Sequence, residues 1–389
     1  MTGTPDPRRS SPATPRARTT ALLSLGVGAA TTLVLTIALT GMSGTDAPPA
    51  RPTPTPAAPT VLRLHLDPAG SDARDGASPA RAVATLARVQ QIIAAARPST
   101  DVEVRIKQGV YPTAPLTWNT YVPGRSISFL PADHRYGGDL TGIAGRPVFR
   151  GTGTAGFWFR AEPPPSGLPP ETSLRFYYLQ VEQYASGGIM FDGGTARSAA
   201  GLLGARTGGV NGNTVYGMRF RAIGSKHVPA AVGYGAVDLI NSRRNIIEKN
   251  EFTDIENRGT PDQAALVHGV YLAHLSSDNI IRRNTFTGIS GDPVRTRNAS
   301  GRNQISGNTF VRAGSKAYFS DWYQRQASPT SPRECASVGN KFHGNTLTSG
   351  YRGPVQTWAA TPGSTTSPGG PGCGTGPVQR VTAWDNHAG

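Results

Sequence analysis

The sequence predicts an all-β fold, a right-handed parallel β-helix built as a three-sided solenoid with an N-terminal capping helix. Three observations predict it. One eight-residue phrase recurs five times, few segments carry a helical apolar period, and Gly, Asn, Ser and Thr recur between short β-branched runs. Charged residues make up only 16% of the 389 and glycines number 48, a balance rich in turn formers and low in charge for a helical protein.

The phrase opens at Asn213, Asn245, Asn279, Asn303 and Asn340. An apolar residue follows two positions later (Val215, Ile247, Ile281, Ile305, Phe342), and Phe or Leu seven later (Phe220, Phe252, Phe286, Phe310, Leu347). If each copy is one coil, these positions stack into two internal apolar ladders. A second Asn column (Asn250, Asn284, Asn308, Asn345) is expected at a turn, where Asn accepts the left-handed conformation and can bond backbone groups of adjacent coils. The third and fourth copies start 24 residues apart, about one circuit of a three-sided coil; the spacings of 32, 34 and 37 elsewhere require outward loops.

The chain before the repeats fits the same scheme. Leu62–Leu66 alternates like a strand, and a turn follows through Gly70–Gly76. Ser78-Pro79 reads as an N-cap and first-turn pair, after which Val83, Leu86, Val89, Ile92 and Ile93 recur at helical spacing up to Ala96. Such a helix can cover the open end of a solenoid. Val102–Ile106 with Gly109–Tyr111 then reads as the first full coil, inside a β-helix domain spanning 61–389.

The first sixty residues fall outside that domain. Residues 1–20 form a basic tail with Arg8, Arg9, Arg16 and Arg18; residues 21–41 are uncharged and long enough to cross a bilayer core; residues 42–60 are a Pro-rich tether. Either an uncleaved signal anchor or a cleaved signal is expected, and in both cases the rest is extracytoplasmic. The net charge is +15; residues 1–43 hold four Arg and one Asp, so about +12 stays with the exported part. That charge suits an anionic polysaccharide or cell-wall glycan, and also general solubility. Nucleic acid is not expected, since there is no Lys/Arg block and no recognised module. The protein is expected to act as a monomer. Only Cys335 and Cys373 are present, and in an oxidising compartment they are expected to form a disulfide.

The segment from His65 to Ala96 resembles the N-terminal motif of secreted right-handed β-helix proteins of the pectate-lyase-like superfamily. The Asn-to-Phe phrase is similar to the parallel β-helix repeat of the same group. Residues 268–286 and 291–310 resemble coils of uncharacterised actinobacterial β-helix proteins, and more distantly those of alginate and chondroitin lyases. The resemblance spans roughly residues 62–350 and implies the fold. It leaves the chemistry open among lyases, hydrolases, epimerases and non-catalytic binders.

Aligning coils on the leading Asn and closing Phe puts His268, Asp292 and Lys316 in one column, then Tyr271, Arg295 and Phe319, then Ala273, Arg297 and Asp321. Strand alternation makes Tyr271, Arg295, Arg297 and Asp321 face outward on neighbouring strands. A uronate lyase needs such a cluster. β-Elimination removes a proton α to a carboxylate, which Arg295 and Arg297 can neutralise. His268, Lys316 or Tyr271 would be the base, and Tyr271 or His268 the acid. The resemblance also implies a Lys or Arg base. Asp292, Asp321 and Trp322 are candidates for substrate binding, with Trp322, of inward parity beside His274, able to stack on a sugar or plug a turn. The insertions at 256–266 and 323–337 would wall the groove. Arg297 and Asp321 could equally be a structural ion pair. Hydrolysis would need two carboxyl groups, such as Asp292 with Asp321 or Asp238, about 5–9.5 Å apart. No cofactor is required by any motif; a Ca²⁺ held by carboxylates such as Asp292 is the one metal considered.

Overall fold

The computed structural model describes residues 61–134, 145–194, 208–326, 328, 333–361, 365–370 and 372–389, all within the compact unit Ala57–Gly389. The basic tail, the apolar run 21–41 and the tether lie outside the described residues. Among the described residues no helix is long and apolar enough to cross a membrane.

Three parallel sheets of ten, nine and eight strands wind around one core. Each coil gives one strand to each sheet. Ile246–Glu248, Glu251–Ile255 and His268–Ala273 make one circuit; Ile280–Arg282, Thr285–Ile289 and Val294–Arg297 make the next. Like positions of successive phrases pair directly. Ile247 is in register with Ile281, Ile281 with Ile305, and Ile305 with Phe342. Phe220, Phe252, Phe286 and Phe310 stack face to face with ring centroids 5.2, 4.6 and 5.0 Å apart and are fully buried. Each buried phenylalanine stabilises the fold by about 1.5–3 kcal/mol relative to an exposed one.

Both Asn columns are hydrogen-bonded ladders. The Asn245 backbone N–H and side-chain amide both donate to Asn279 Oδ1 (2.9 and 2.8 Å), and Asn279 donates in the same way to Asn303. In the second column Asn250 donates to Asn284 Oδ1 and Asn284 to Asn308 Oδ1, while each side chain also reaches a carbonyl of the preceding coil, as Asn284 Nδ2 does to Ile247 O at 2.9 Å. Buried amides are thereby satisfied where an unmet group would cost about 1–3 kcal/mol. One detail differs from the expectation. The left-handed residue is the one before each ladder Asn: Arg244, Asp278 and Arg302 in the first column (φ 56, 62 and 57°), Lys249 and Arg283 in the second (φ 55° each). The Asn itself points inward to the next coil, which the turn residue before it makes possible.

The capping helix runs over Leu86–Ala96 and buries Leu86, Val89 and Ile93 against the same core as Leu64 and Leu66 of the first strand. It starts later than the Ser78-Pro79 pair suggests. That pair opens only a 3₁₀ turn, Pro79–Arg81, and Ser78 makes no side-chain cap. Val83 instead bridges Leu66 in parallel fashion, and Thr85 caps the helix by accepting from the Arg88 N–H at 3.1 Å. Gly70 permits this: a Cβ there would lie 2.3 Å from the Val83 carbonyl oxygen.

Two long connections flank the eight-stranded sheet. The first holds a short helix, Pro261–Ala264, with a capping box between Thr260 and Gln263. The second is tied by the disulfide Cys335–Cys373, whose Cα atoms are 5.4 Å apart.

Candidate functional site

The outer face of the eight-stranded sheet carries the candidate residues on the strands Gly235–Ile240, His268–Ala273, Val294–Arg297, Ala317–Trp322 and Gln356–Thr361. Tyr271 is in register with Arg295, and Ala273 with Arg297, as the repeat alignment expects. The next strand does not follow the alignment. Arg295 pairs with Ser320, Thr296 with Asp321, and Arg297 with Trp322. Ile289 and Ala313 are in register and so are Val294 and Phe319, so the turn before Ala317–Trp322 holds one residue more than its predecessor. One extra residue exchanges the two faces of a strand.

Asp292 holds that longer turn. It is fully buried, and its Oδ1 accepts the backbone N–H groups of Ser315, Lys316 and Ala317 at 3.2, 2.8 and 3.1 Å, while Oδ2 accepts from Arg295 Nη2 at 2.7 Å. Burial alone would raise its pKa; Arg295 and the N–H donors outweigh it and hold the carboxyl at about 2. Asp292 is therefore a turn clasp and an anchor for Arg295. The slip also corrects Asp321, which faces inward and is fully buried. It accepts from Thr296 Oγ1 at 2.9 Å and Arg380 Nε at 2.8 Å, and Arg380 is 1% exposed. Asp321 is a core ion-pair residue partnered by Arg380. Trp322 moves the other way and lies outward, 4.5 Å from the Arg297 guanidinium carbon to its ring centre. Lys316 sits exposed on the turn, away from Tyr271, at the rim of a hollow of about 620 Å³ that also includes Val355, Gln356 and Ala359. Ala359 is in register with Ser320, so this hollow continues the column of Tyr271 and Arg295.

The column extends in the opposite direction as well. Asp238 pairs in register with Tyr271, giving an outward row Asp238, Tyr271, Arg295, Ser320 with strands about 4.8 Å apart. Asp238 is 2% exposed and its Oδ1 has no hydrogen-bond partner. Burial raises its pKa well above the ordinary carboxyl value, which favours the neutral acid. Its carboxyl lies over Gly235, where a Cβ would come within 2.1 Å of Oδ1. Counting back from the Asn phrases hides this residue. Asp238 is seven positions before Asn245 and Leu272 seven before Asn279, which assigns Asp238 to the inward face. An additional residue after Tyr271, with His274 and Leu275 both left-handed (φ 54 and 70°), accounts for the difference.

His268 lies 3% exposed beside Tyr271, ring centroids 5.2 Å apart. Its Nδ1 is 2.8 Å from the Asp292 carbonyl oxygen. A carbonyl only accepts, so Nδ1 carries the proton and Nε2 keeps its lone pair. Burial first, then the Arg295 charge, lower its pKa to about 3 against the pull of Asp292. Arg297 is fixed on Glu334 by Nε contacts of 3.0 and 2.9 Å, and its Nη1 reaches Tyr271 Oη at 3.4 Å. Glu334 is 2% exposed and sits next to Cys335, so the disulfide-tied loop supplies the anchor. Burial raises the Tyr271 pKa, while Arg297 and Arg295 oppose the rise, so the phenol remains a donor. Two guanidinium groups thus face two carboxylates. Ser320 and Glu334 join the candidate site where repeat alignment did not place them, and Asp238, considered from the sequence only as a hydrolytic carboxyl, stands in the Tyr271 column. Among the described residues no group of three or more His, Cys, Asp or Glu is placed to hold a metal ion, and Asp292 has its oxygens engaged by protein donors.

No curated protein matches this chain. Among solved structures, an alginate lyase from Paenibacillus sp. strain FPU-7 is 11% identical with TM-score 0.47, covering 84% of this chain and 95% of that one. A family 28 exopolygalacturonase from Yersinia enterocolitica is 10% identical with TM-score 0.43, covering 85% and 66%. A pectate lyase is 12% identical with TM-score 0.37, covering 85% and 80%. The fold rests on the three sheets and on a family model, described as the right handed beta helix region, that matches residues 181–350. The chain forms a right-handed parallel β-helix.

Proposed function

We propose that this is an extracytoplasmic polysaccharide-active protein that cleaves an anionic, uronate-type glycan by β-elimination along the outer face of the eight-stranded sheet. The observation that carries the reading is the row of Tyr271 and Arg295 in register, with Arg297 one position on and Trp322 beside it. Trp322 offers a flat face for a sugar ring. Tyr271 Oη–H and the guanidinium N–H groups can donate to the sugar carboxylate and to the charge that grows on it as the α-proton leaves. His268 Nε2 is the lone pair available to take that proton. A bound carboxylate beside Arg295 would also offset the charge that depresses the His268 pKa.

The test is a panel of alginate, pectate and glycosaminoglycans followed by the ultraviolet absorbance of the new C=C bond. Tyr271→Phe is expected to slow product formation by about 10²–10³-fold, the usual cost of one donor aimed at developing charge. Epimerisation would change the sugar without that absorbance. A binding-only role is favoured by one observation, that Arg295 and Arg297 are both already matched by carboxylates. Retention on a polyuronate with no product from any glycan would decide for it.

A further inference from the structure

Elimination requires a proton for the departing glycosidic oxygen; with His268 as the base and Tyr271 donating to the sugar carboxylate, neither of the acids named from the sequence is left for that role. The acids around the site are already engaged. Asp292 is held by Arg295, Asp321 by Arg380, Glu334 by Arg297, and Asp192, one column over on a neighbouring strand, by Arg160 at 3.0 Å. Asp238 differs from all four. Among the described residues no donor reaches its Oδ1 and no arginine or lysine pairs with it in an ion pair, and it stands in register with Tyr271 on the face where the glycan would run. A buried carboxyl without a cation keeps its proton at neutral pH. The bare backbone at Gly235 leaves room for the carboxyl, since any larger residue would collide with Oδ1.

We propose that Asp238 is the carboxylic acid that gives its proton to the leaving glycosidic oxygen. This rests on the polysaccharide-cleaving reading above, and it names the acid which that reading lacks. For a 4-linked uronide the balance is closed. The C5–H proton passes to His268 Nε2, its electron pair forms the C4=C5 bond, the C4–O4 bond breaks, and O4 takes the Asp238 proton. His268 is left as imidazolium and Asp238 as carboxylate; one proton passing between them through solvent restores both. Hydrolysis would also need this donor, because a glycosidic oxygen departs there too.

The experiment pairs Asp238→Asn with infrared difference spectroscopy of the unmodified protein. The wild type at neutral pH is expected to show a carboxylic-acid carbonyl stretch that the variant lacks. The variant is expected to bind the glycan within about twofold of wild type but to turn over at least 10²-fold more slowly, a usual general-acid contribution. The alkaline limb of the wild-type rate profile is expected to follow loss of that infrared band. An Asp238→Asn protein as active as wild type, or the absence of the band in wild type, overturns the proposal and leaves the polysaccharide reading standing. The infrared result on the unmodified protein holds even if the variant fails to fold. New reducing ends without the C=C absorbance would sink elimination while supporting Asp238 as donor. No product from any glycan would overturn both.

Discussion

Asp321 and Asp238 are both aspartates of the same sheet, and both are buried, yet the protein treats them in opposite ways. Asp321 meets Arg380, Thr296 and the Ser337 N–H, so its charge is answered from three sides. Asp238 meets no donor at Oδ1 and sits over a glycine. The contrast separates structure from chemistry. A compensated buried charge can be kept only if its partner is kept, whereas an uncompensated carboxyl is stable only as the neutral acid. Asp321 joins the coil of Ala317–Trp322 to the chain at Arg380, just before the last strand of the ten-stranded sheet, Val381–Trp384.

The largest effect should come from breaking the compensated pair. Arg380→Ala leaves the Asp321 carboxylate buried without its cation, and a loss of about 3–5 kcal/mol is expected in denaturant unfolding. A loss below ~1 kcal/mol would show that Asp321 takes up a proton at little cost, and the distinction from Asp238 would disappear.

A ladder amide should rank next. Asn284→Ala removes the acceptor of two Asn250 donors and the donor to Ile247 O in one step. Each abandoned buried group costs about 1–3 kcal/mol, so a decrease of at least ~2 kcal/mol is expected in the same measurement. A smaller change would mean that water enters the column and serves the stranded groups.

These ladders were the legible part of the molecule. Asn245, Asn279 and Asn303 announce themselves because each must bond its counterpart one coil away, so the type at that position is dictated by the stack. Phe252 and Phe286 are equally constrained by a shared core. The site was less legible because its strands follow turns of unequal length. One extra residue before Ala317 turned Asp321 inward and Trp322 outward, and one after Tyr271 disguised Asp238 as a core position. Asp292 looked like a free acid, but its position is explained by three N–H groups of a turn three strands further along the chain. Turn length is set by such tertiary bonds, which a phrase alignment does not contain.

Burial raises the Asp321 pKa as it does that of Asp238, but at Asp321 the Arg380, Ser337 and Thr296 groups oppose the rise, and at Asp292 the opposing groups win. The Asp292 pKa falls from 3.8 to about 2 on folding, so its contribution is full above pH 3.8 and is lost as pH drops through 2. A fall of just under two pKa steps corresponds to roughly 2–3 kcal/mol. Asp238 has the opposite sign. Its folded pKa is raised, so its stabilising effect is full below its unfolded value and is lost as pH rises toward the folded one. Unfolding free energies of wild type and Asp238→Asn, compared between pH 4 and 8, should therefore diverge. Wild type should lose about 1.4 kcal/mol per pH unit relative to the variant while only the folded state holds the proton. Parallel curves would place an ionised Asp238 in the native protein.

The smallest effect is expected where the same pair chemistry is moved to the surface. Arg302 bonds Asp278 at 2.7 and 2.6 Å, a bidentate geometry as good as that of the buried pair, but their side chains are 67% and 39% exposed. In water both groups are solvated before and after the contact forms, and salt screens what attraction is left. Arg302→Ala should cost no more than ~1 kcal/mol, and less in high salt. Arg380→Ala should be nearly insensitive to salt, because no ions reach Asp321. Equal salt responses of the two variants would mean that the Asp321 site admits solvent, and that burial is not what sets its arginine apart from Arg302.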